Sequence, residues 1–118
     1  MKNDKFLIYS VSGDYEGVKI APMLLIPFVE NAFKHSVDSD VENGIVIEIK
    51  VIGDRLYFYC TNLFDKKDMD KDRTHGIGLE NVKNRLELIY PQKHKLEISA
   101  NNSVYKVKLE LQLQLHEN

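Results

Sequence analysis

Apolar and polar residues alternate along four stretches of the chain and recur at helical spacing in two others. Residues 45 to 52 and Leu56 to Thr61 are β-branched and aromatic, and the Gly53-Asp54 pair between them predicts a hairpin. Lys95 to Ala100 and Val104 to Leu115 predict a second hairpin around Asn101-Asn102-Ser103. On its second strand Val107, Leu109, Leu111, Leu113 and Leu115 share one face, leaving Lys106, Lys108, Glu110, Gln112 and Gln114 for a partly solvated one. Lys5 to Val11 alternates more loosely, is bounded by Ser-Gly-Asp, and predicts a strand ending in a turn. The spacing predicts a first helix over Ile20 to Ser36, with Pro22 in its first turn and Pro27 inside it. That second proline removes the bond its N–H would make to the Met23 carbonyl and is expected to bend the helix. Leu79, Val82, Leu86 and Ile89 form an i, i+3, i+7, i+10 stripe for a second helix over Gly76 to Tyr90, stopped before Pro91. Each helix is apolar on one side only. Two such helices and about five strands predict a two-layer α/β sandwich, a mixed sheet with both helices on one face.

The segments between these elements are polar. Asp38 to Gly44 is a loop, and Asp65 to Thr74 has one apolar residue, Met69, among four Asp, three Lys and one Arg, so it is expected to be mobile. At 118 residues the chain is read as a single domain, 1–118, able to bury a core without cross-links. The net charge of −2, from 16 basic and 18 acidic side chains with no basic stripe, argues against a nucleic-acid partner. The lone Cys60 lies in the apolar run Leu56 to Cys60 and reads as a buried small hydrophobe in a reduced compartment, since no His stands at a spacing that would activate it. There is no run of 18 apolar residues, and the first residues, Met-Lys-Asn-Asp-Lys, lack the apolar stretch of a signal peptide.

The polar side chains of the first helix are few and gathered. At about 100° per residue, Glu30, Lys34, Asn31 and His35 fall within roughly 140° of arc, opposite Leu24, Leu25, Phe28, Val29, Ala32 and Phe33. They are groups able to hold a metal ion and phosphate oxygens, although an amphipathic helix with a polar edge has the same pattern. In His75-Gly76-Ile77-Gly78-Leu79 two glycines run into the second helix. Free amides there, with the partial positive charge of a helix N-terminus, make a cradle for phosphate; a plain loop-to-helix junction shares that sequence.

Together, in this order and about 45 residues apart, the two segments resemble the N box and the glycine-rich G box of the GHKL ATP-binding fold. Pro22-x-x-x-x-Pro27-Phe-Val-Glu-Asn-Ala-Phe-Lys-His35 followed by Gly76-Ile-Gly-Leu-Glu-Asn-Val-Lys-Asn-Arg-Leu-Glu-Leu-Ile-Tyr-Pro91 is similar to the LytS-type sensor histidine kinases, a group of membrane-anchored two-component kinases. The resemblance runs from the strand before Pro22 to the last strand near Leu115. It implies that Asn31 binds Mg²⁺ and that Lys34 and His35 meet phosphate or ribose. It also implies that Gly76, Ile77, Gly78 and Leu79 hold the phosphates through their amides, with Asn81 and Arg85 fixing the loop and helix, and that residues 65 to 74 form a lid over ATP. His35 is not the phosphorylated histidine, because a group inside the nucleotide pocket cannot stand in line with the γ-phosphate. In hydrolysing relatives a water-activating carboxylate precedes the metal-binding asparagine by four positions; here that position is Pro27, so Glu30 is assigned a catalytic part as polariser or base toward an acceptor imidazole. Many members carry Asp-x-Gly-x-Gly after the central strand; here the strand ends Tyr59-Cys60-Thr61-Asn62-Leu63-Phe64, so Asn62 replaces the adenine-binding aspartate and the glycines are lost.

The resemblance thus implies the ATP-binding catalytic domain of a two-component sensor kinase, with ATP and Mg²⁺ as cofactors, dimerisation and phospho-acceptor helices expected before residue 1, and a response regulator downstream. The domain would be a cytoplasmic part of an inner-membrane protein without touching the membrane itself. Two other readings remain at this point: a nucleotide-binding regulatory module that no longer catalyses, and an anti-sigma-type serine kinase of the same fold.

Overall fold

The computed structural model describes residues 7–13, 24–35, 44–64 and 75–113, apart from the side chains of residue 35 and residues 75–78. Strands β1 (Leu7–Gly13), β2 (Ile45–Ile52), β3 (Arg55–Leu63), β4 (His94–Asn101) and β5 (Val104–Gln112) form one sheet, with helices α1 (Ile26–His35) and α2 (His75–Ile89). The sheet order is β1-β2-β3-β5-β4. β1 runs parallel to β2, and every other pairing is antiparallel, so the sheet is mixed as the sequence predicts. The expected positions 5, 6, 20–23, 36, 114 and 115 lie outside the described residues, as do the polar loop over 38–43 and the expected lid over 65–74.

Both hairpins close where turn chemistry allows. Ile52 pairs with Arg55 across Gly53-Asp54, and Gly53 takes φ 60°, a left-handed value suited to the first central position of a tight turn. Asn101 pairs with Val104 across Asn102 and Ser103, at φ 53° and 64°, the two positive angles of a type I′ turn. At the end of β1, Gly13 has φ 90° and stands so close to Val51 that a Cβ would overlap the Val51 carbonyl oxygen. Only glycine lets the parallel pair come together there.

One buried cluster joins both helices to one face of the sheet. Leu24, Phe28 and Ala32 from α1 and its approach, and Leu79, Val82 and Leu86 from α2, pack on Ile45, Ile47 and Val51 of β2, Leu56, Phe58 and Cys60 of β3, and Val107, Leu109 and Leu111 of β5. Both helices therefore cover the same face, and the two-layer α/β sandwich stands.

Three local expectations change. Pro27 is the second residue of α1, because Leu24 and Leu25 form a bend and the Phe28 and Val29 amides donate to the Leu25 carbonyl at 3.1 and 3.3 Å. A first-turn proline removes an amide that has no helical partner anyway, so the described helix carries Pro27 at its start and not as an interior kink. Phe33, assigned to the apolar side, is 48% exposed. Ile89, the last of the α2 stripe, is 48% exposed, and Tyr90 packs against the core beyond it. The stripe ends there because the chain leaves the helix for β4: the Lys93 amide donates to the Tyr90 carbonyl at 3.0 Å, and His94 Nδ1 donates to the same oxygen at 2.7 Å.

Leu86 is 0% exposed and Leu88, two residues on, is 82% exposed. Leu86→Ala should lower unfolding free energy by about 2–5 kcal/mol, and Leu88→Ala by less than about 0.5 kcal/mol. Urea denaturation of the two variants checks this directly.

Candidate nucleotide site

Asn62 occupies the end of β3 on the face that the helices cover. It pairs with Ile45 on β2 and Tyr105 on β5, both buried, and is itself only 2% exposed. A side-chain amide so buried must have partners for its polar atoms. Its Nδ2 donates to the Leu63 carbonyl at 3.2 Å. Because a carbonyl only accepts, that bond fixes which way the amide points. Its Oδ1 accepts from no described residue, leaving a buried acceptor at the strand end. Immediately beyond, the backbone is occupied: the Leu63 amide donates to Gly44 and the Phe64 amide to Ser103, both at 2.9 Å. The two backbone amides just past Asn62 are thus committed to their neighbours.

The helix N-terminus is brought to the same end of the sheet. His94, which follows α2, pairs with Leu111, and Leu111 with Leu56 near the start of β3. His94 Nε2 lies 3.6 Å from the Glu87 carboxylate, and Nδ1 holds the Tyr90 carbonyl, so the C-terminal turn of α2 is tied to the first residue of β4. A helix of 15 residues rises roughly 22 Å, about the length of a strand, which carries its first turn back toward the Asn62 end. Its helical backbone begins at His75, so Gly76, Ile77 and Gly78 lie in the first turn, where amides lack helical partners. Leu79, 8% exposed, inserts its side chain in the core and anchors that turn. Asn81 and Arg85, one and two turns on, are exposed.

On α1, Glu30 and Lys34 are exposed and Asn31 is half-buried, while Phe28 and Ala32 face the core. The polar arc is therefore aimed away from the packed side, except for Asn31 at its margin. His35 closes the helix, and its side chain is outside the description. The helix packs on β3 and β2 and against α2, so α1 adjoins both of the other elements that bear candidate residues.

Cys60 stands one residue pair from Asn62 on the same strand face, buried, with its thiol pushed up to about 11 by desolvation. It stays protonated at neutral pH. The structural use of His94 was not readable in advance: a histidine following Pro91 carries no signal that it will bond back to the helix.

No protein-family model matches the chain. Among solved structures, the Acinetobacter baumannii histidine kinase AdeS covers 94% of the chain and 56% of its own length at a TM-score of 0.62 and 14% identity. The catalytic domain of histidine kinase ThkA covers 92% of the chain and 81% of its own length at a TM-score of 0.56 and 16% identity. The fold is that of histidine kinase catalytic domains. In sequence, the chain is similar to the sensor protein LytS of two Streptococcus agalactiae strains, 28% identical over 120 residues and 88% of the chain. The chain spans a fifth, 20%, of the length of those relatives.

Burial of Cys60 sets a sign for pH dependence. Its folded thiol keeps a proton that the unfolded one, at 9.0, gives up, so stability should fall as pH rises from about 9 toward 11. Burial raises Tyr105 as well, adding to the fall above its ordinary value of 10.0. Denaturant titrations between pH 7 and 11 should show this slope, and Cys60→Ala should flatten its lower part.

Proposed function

We propose that this chain is the ATP-binding catalytic domain of a sensor histidine kinase, with nucleotide bound between α1, the end of β3 and the first turn of α2. The observation that carries the reading is the buried Asn62 Oδ1 at the strand end, which accepts from no described residue. It suits an amino donor such as that of adenine. Guanine would present a carbonyl oxygen at the same place, and Asn62 is not free to turn its Nδ2 outward without giving up Leu63. The residues fit the cofactors on chemical grounds: an amide oxygen on a helix is a hard ligand suited to Mg²⁺, which keeps waters and bridges phosphates.

In this reading Asn31 holds the metal, Lys34 and His35 neutralise and orient phosphate oxygens, and the Gly76, Ile77 and Gly78 amides receive the phosphates at a helix N-terminus. Leu79 secures that turn from the core side. Bound Mg²⁺–ATP supplies the γ-phosphoryl group. The exposed Glu30, one residue before Asn31, faces outward where an acceptor histidine on a separate dimerisation segment would approach, and there it takes up or orients the imidazole proton. Pro27, one turn before Asn31, cannot activate water, which favours transfer over hydrolysis. The acceptor helices and a response regulator are the partners this implies, and a cytoplasmic position follows from the same reading. Among the described residues no helix is long and apolar enough to cross a membrane.

One observation favours a second reading, a regulatory module that binds nucleotide without catalysing. The Leu63 and Phe64 amides are held by Gly44 and Ser103, so the nucleotide loses contacts that a glycine-rich stretch would give.

The test is thermal denaturation with and without Mg²⁺–ATP, paired with transfer of labelled phosphate. At about 100 times Kd the ligand contributes roughly 2.7 kcal/mol, a rise in Tm on the order of 10 °C. Asn31→Ala should lose the part of that shift that requires Mg²⁺, and Asn62→Leu nearly the whole of it. The domain alone should neither label itself nor hydrolyse ATP, because transfer needs an acceptor held in line with the γ-phosphate, which in this reading lies on a separate dimerisation segment, and a matching segment should become labelled on its histidine. Binding without transfer to that segment would favour the regulatory reading; equal Tm shifts in wild type and Asn31→Ala would remove the metal role.

A further inference from the structure

The face of the sheet turned away from the helices carries an ordered charge pattern that the nucleotide site does not use. Strand registers set Glu48, Tyr59, Lys108 and Glu97 side by side in one row across β2, β3, β5 and β4. The next row is Lys50, Tyr57, Glu110 and Lys95. Along each charged strand the sign reverses between rows, while the centre is tyrosine in both. A groove of about 680 Å³ runs over β1, β2 and β3 here, with Tyr57 and Tyr59 in its floor and Ile52, 59% exposed, at its end.

On β4 and β5 these charges answer one another within the sheet, since Lys108 stands opposite Glu97 and Glu110 opposite Lys95. Glu110 also accepts from Arg55 at 2.6 Å. On β2 neither charge has a counter-charge across the strands. The cross-strand neighbours of Glu48 are Tyr59 and Ser10, and those of Lys50 are Tyr57 and Ser12, none carrying a counter-charge. Both side chains are exposed.

We propose that this face docks a second copy of the same chain, sheet against sheet, about a two-fold axis lying in the plane between them, across the strands and between the two rows. Rotation about that axis sets each residue of one row over its same-strand neighbour in the other row. Glu48 then meets Lys50 of the copy, Lys108 meets Glu110, and Glu97 meets Lys95. Tyr59 lies over Tyr57, and one row further out Val46 lies over Ile52. Within the two rows every charge meets its opposite and aromatic meets aromatic, while in the rows outside them Arg55 lies over Thr61 and Lys106 over Gln112. A two-fold axis along the strands instead would set Glu97 over Ser10 and Lys95 over Ser12, leaving the β4 charges without partners. Packed sheets keep their strands within about 30° of alignment, so the rows stay close enough to pair near the centre.

The area limits the strength. Five strands about 4.8 Å apart and about 23 Å long offer roughly 550 Å² each, so pairing buries about 1,100 Å², the lower bound for a specific association. The complex is therefore weak and salt-dependent, with the charges setting register more than affinity. It involves none of the candidate nucleotide residues, so it stands or fails independently of the proposed function.

Sedimentation equilibrium of the full chain from about 10 μM to 1 mM at low salt tests it by the mass, 13.7 kDa for the monomer and twice that for the dimer. Lys50→Glu sets Glu over Glu at both symmetry-related contacts and should weaken dimerisation by an order of magnitude or more. The swap E48K/K50E restores opposite charges only about the axis across the strands, because about an axis along the strands the lysine introduced at position 48 would meet Lys108 of the copy. Its dimer should return to wild-type strength. A monomer at every concentration leaves the face to another occupant and overturns the proposal, as does a dimer indifferent to Lys50→Glu. Loss in the single variant without recovery in the swap overturns the stated axis.

Discussion

Everything at the candidate site hangs from one contact, the packing of α1 on the centre of the sheet. Phe28 in the first turn of α1 meets Phe58 in the middle of β3, with ring centroids 5.9 Å apart and planes tilted by 37°. Both side chains are almost wholly buried. The pair lies within the range where tilted aromatic rings attract beyond simple burial. It fixes α1 over β3, and Ala32, one turn on, keeps the helix close to the sheet. Because the apolar side is spent there, Glu30 and Lys34 are turned out and Asn31 is left at the edge, where a side-chain amide is both held and reachable.

The same one-sided burial accounts for Asn62. Its position on β3 is a core position by alternation, in line with Phe58 and Cys60, and the chain places a polar amide where a hydrophobe would pack more cheaply. Such a substitution costs stability unless the group is satisfied, and half of it is, through Leu63. The other half, Oδ1, accepts from no described residue, and that is the strongest physical reason to place a ligand here. A site that departs from local consistency is where function is expected.

Much of this was legible in the sequence, for identifiable reasons. Ile45–Ile52 has the predicted bounds because a β-branched run lies between the polar loop ending at Gly44 and the Gly53-Asp54 turn. Val107, Leu109 and Leu111 face the core as their period of two requires. Pro27 misled because periodicity extends through Leu24 and Leu25, whereas the backbone bends there and makes the proline an opening residue. Ile89 fits its stripe but lies where the helix runs past the edge of the core, a matter of tertiary placement that spacing does not carry. The place of Asn62 at the end of the third strand was readable; that it is buried, with its Nδ2 held by the Leu63 carbonyl, was not. The register of the open face, and with it the matching of opposite charges between rows, likewise depends on pairings that only the folded sheet supplies.

The central claim is that nucleotide enters the corner made by α1, the end of β3 and the first turn of α2. Amide NMR spectra of the folded chain titrated with Mg²⁺–ATP test it most directly. The account predicts shifts concentrated at the Asn62 side-chain amide, at Asn31 and at Gly76 to Gly78, with Arg55, His94 and Gln112 at the opposite end of the sheet unchanged. Shifts confined to that opposite end or to the open face, or no shifts at millimolar nucleotide, would contradict it.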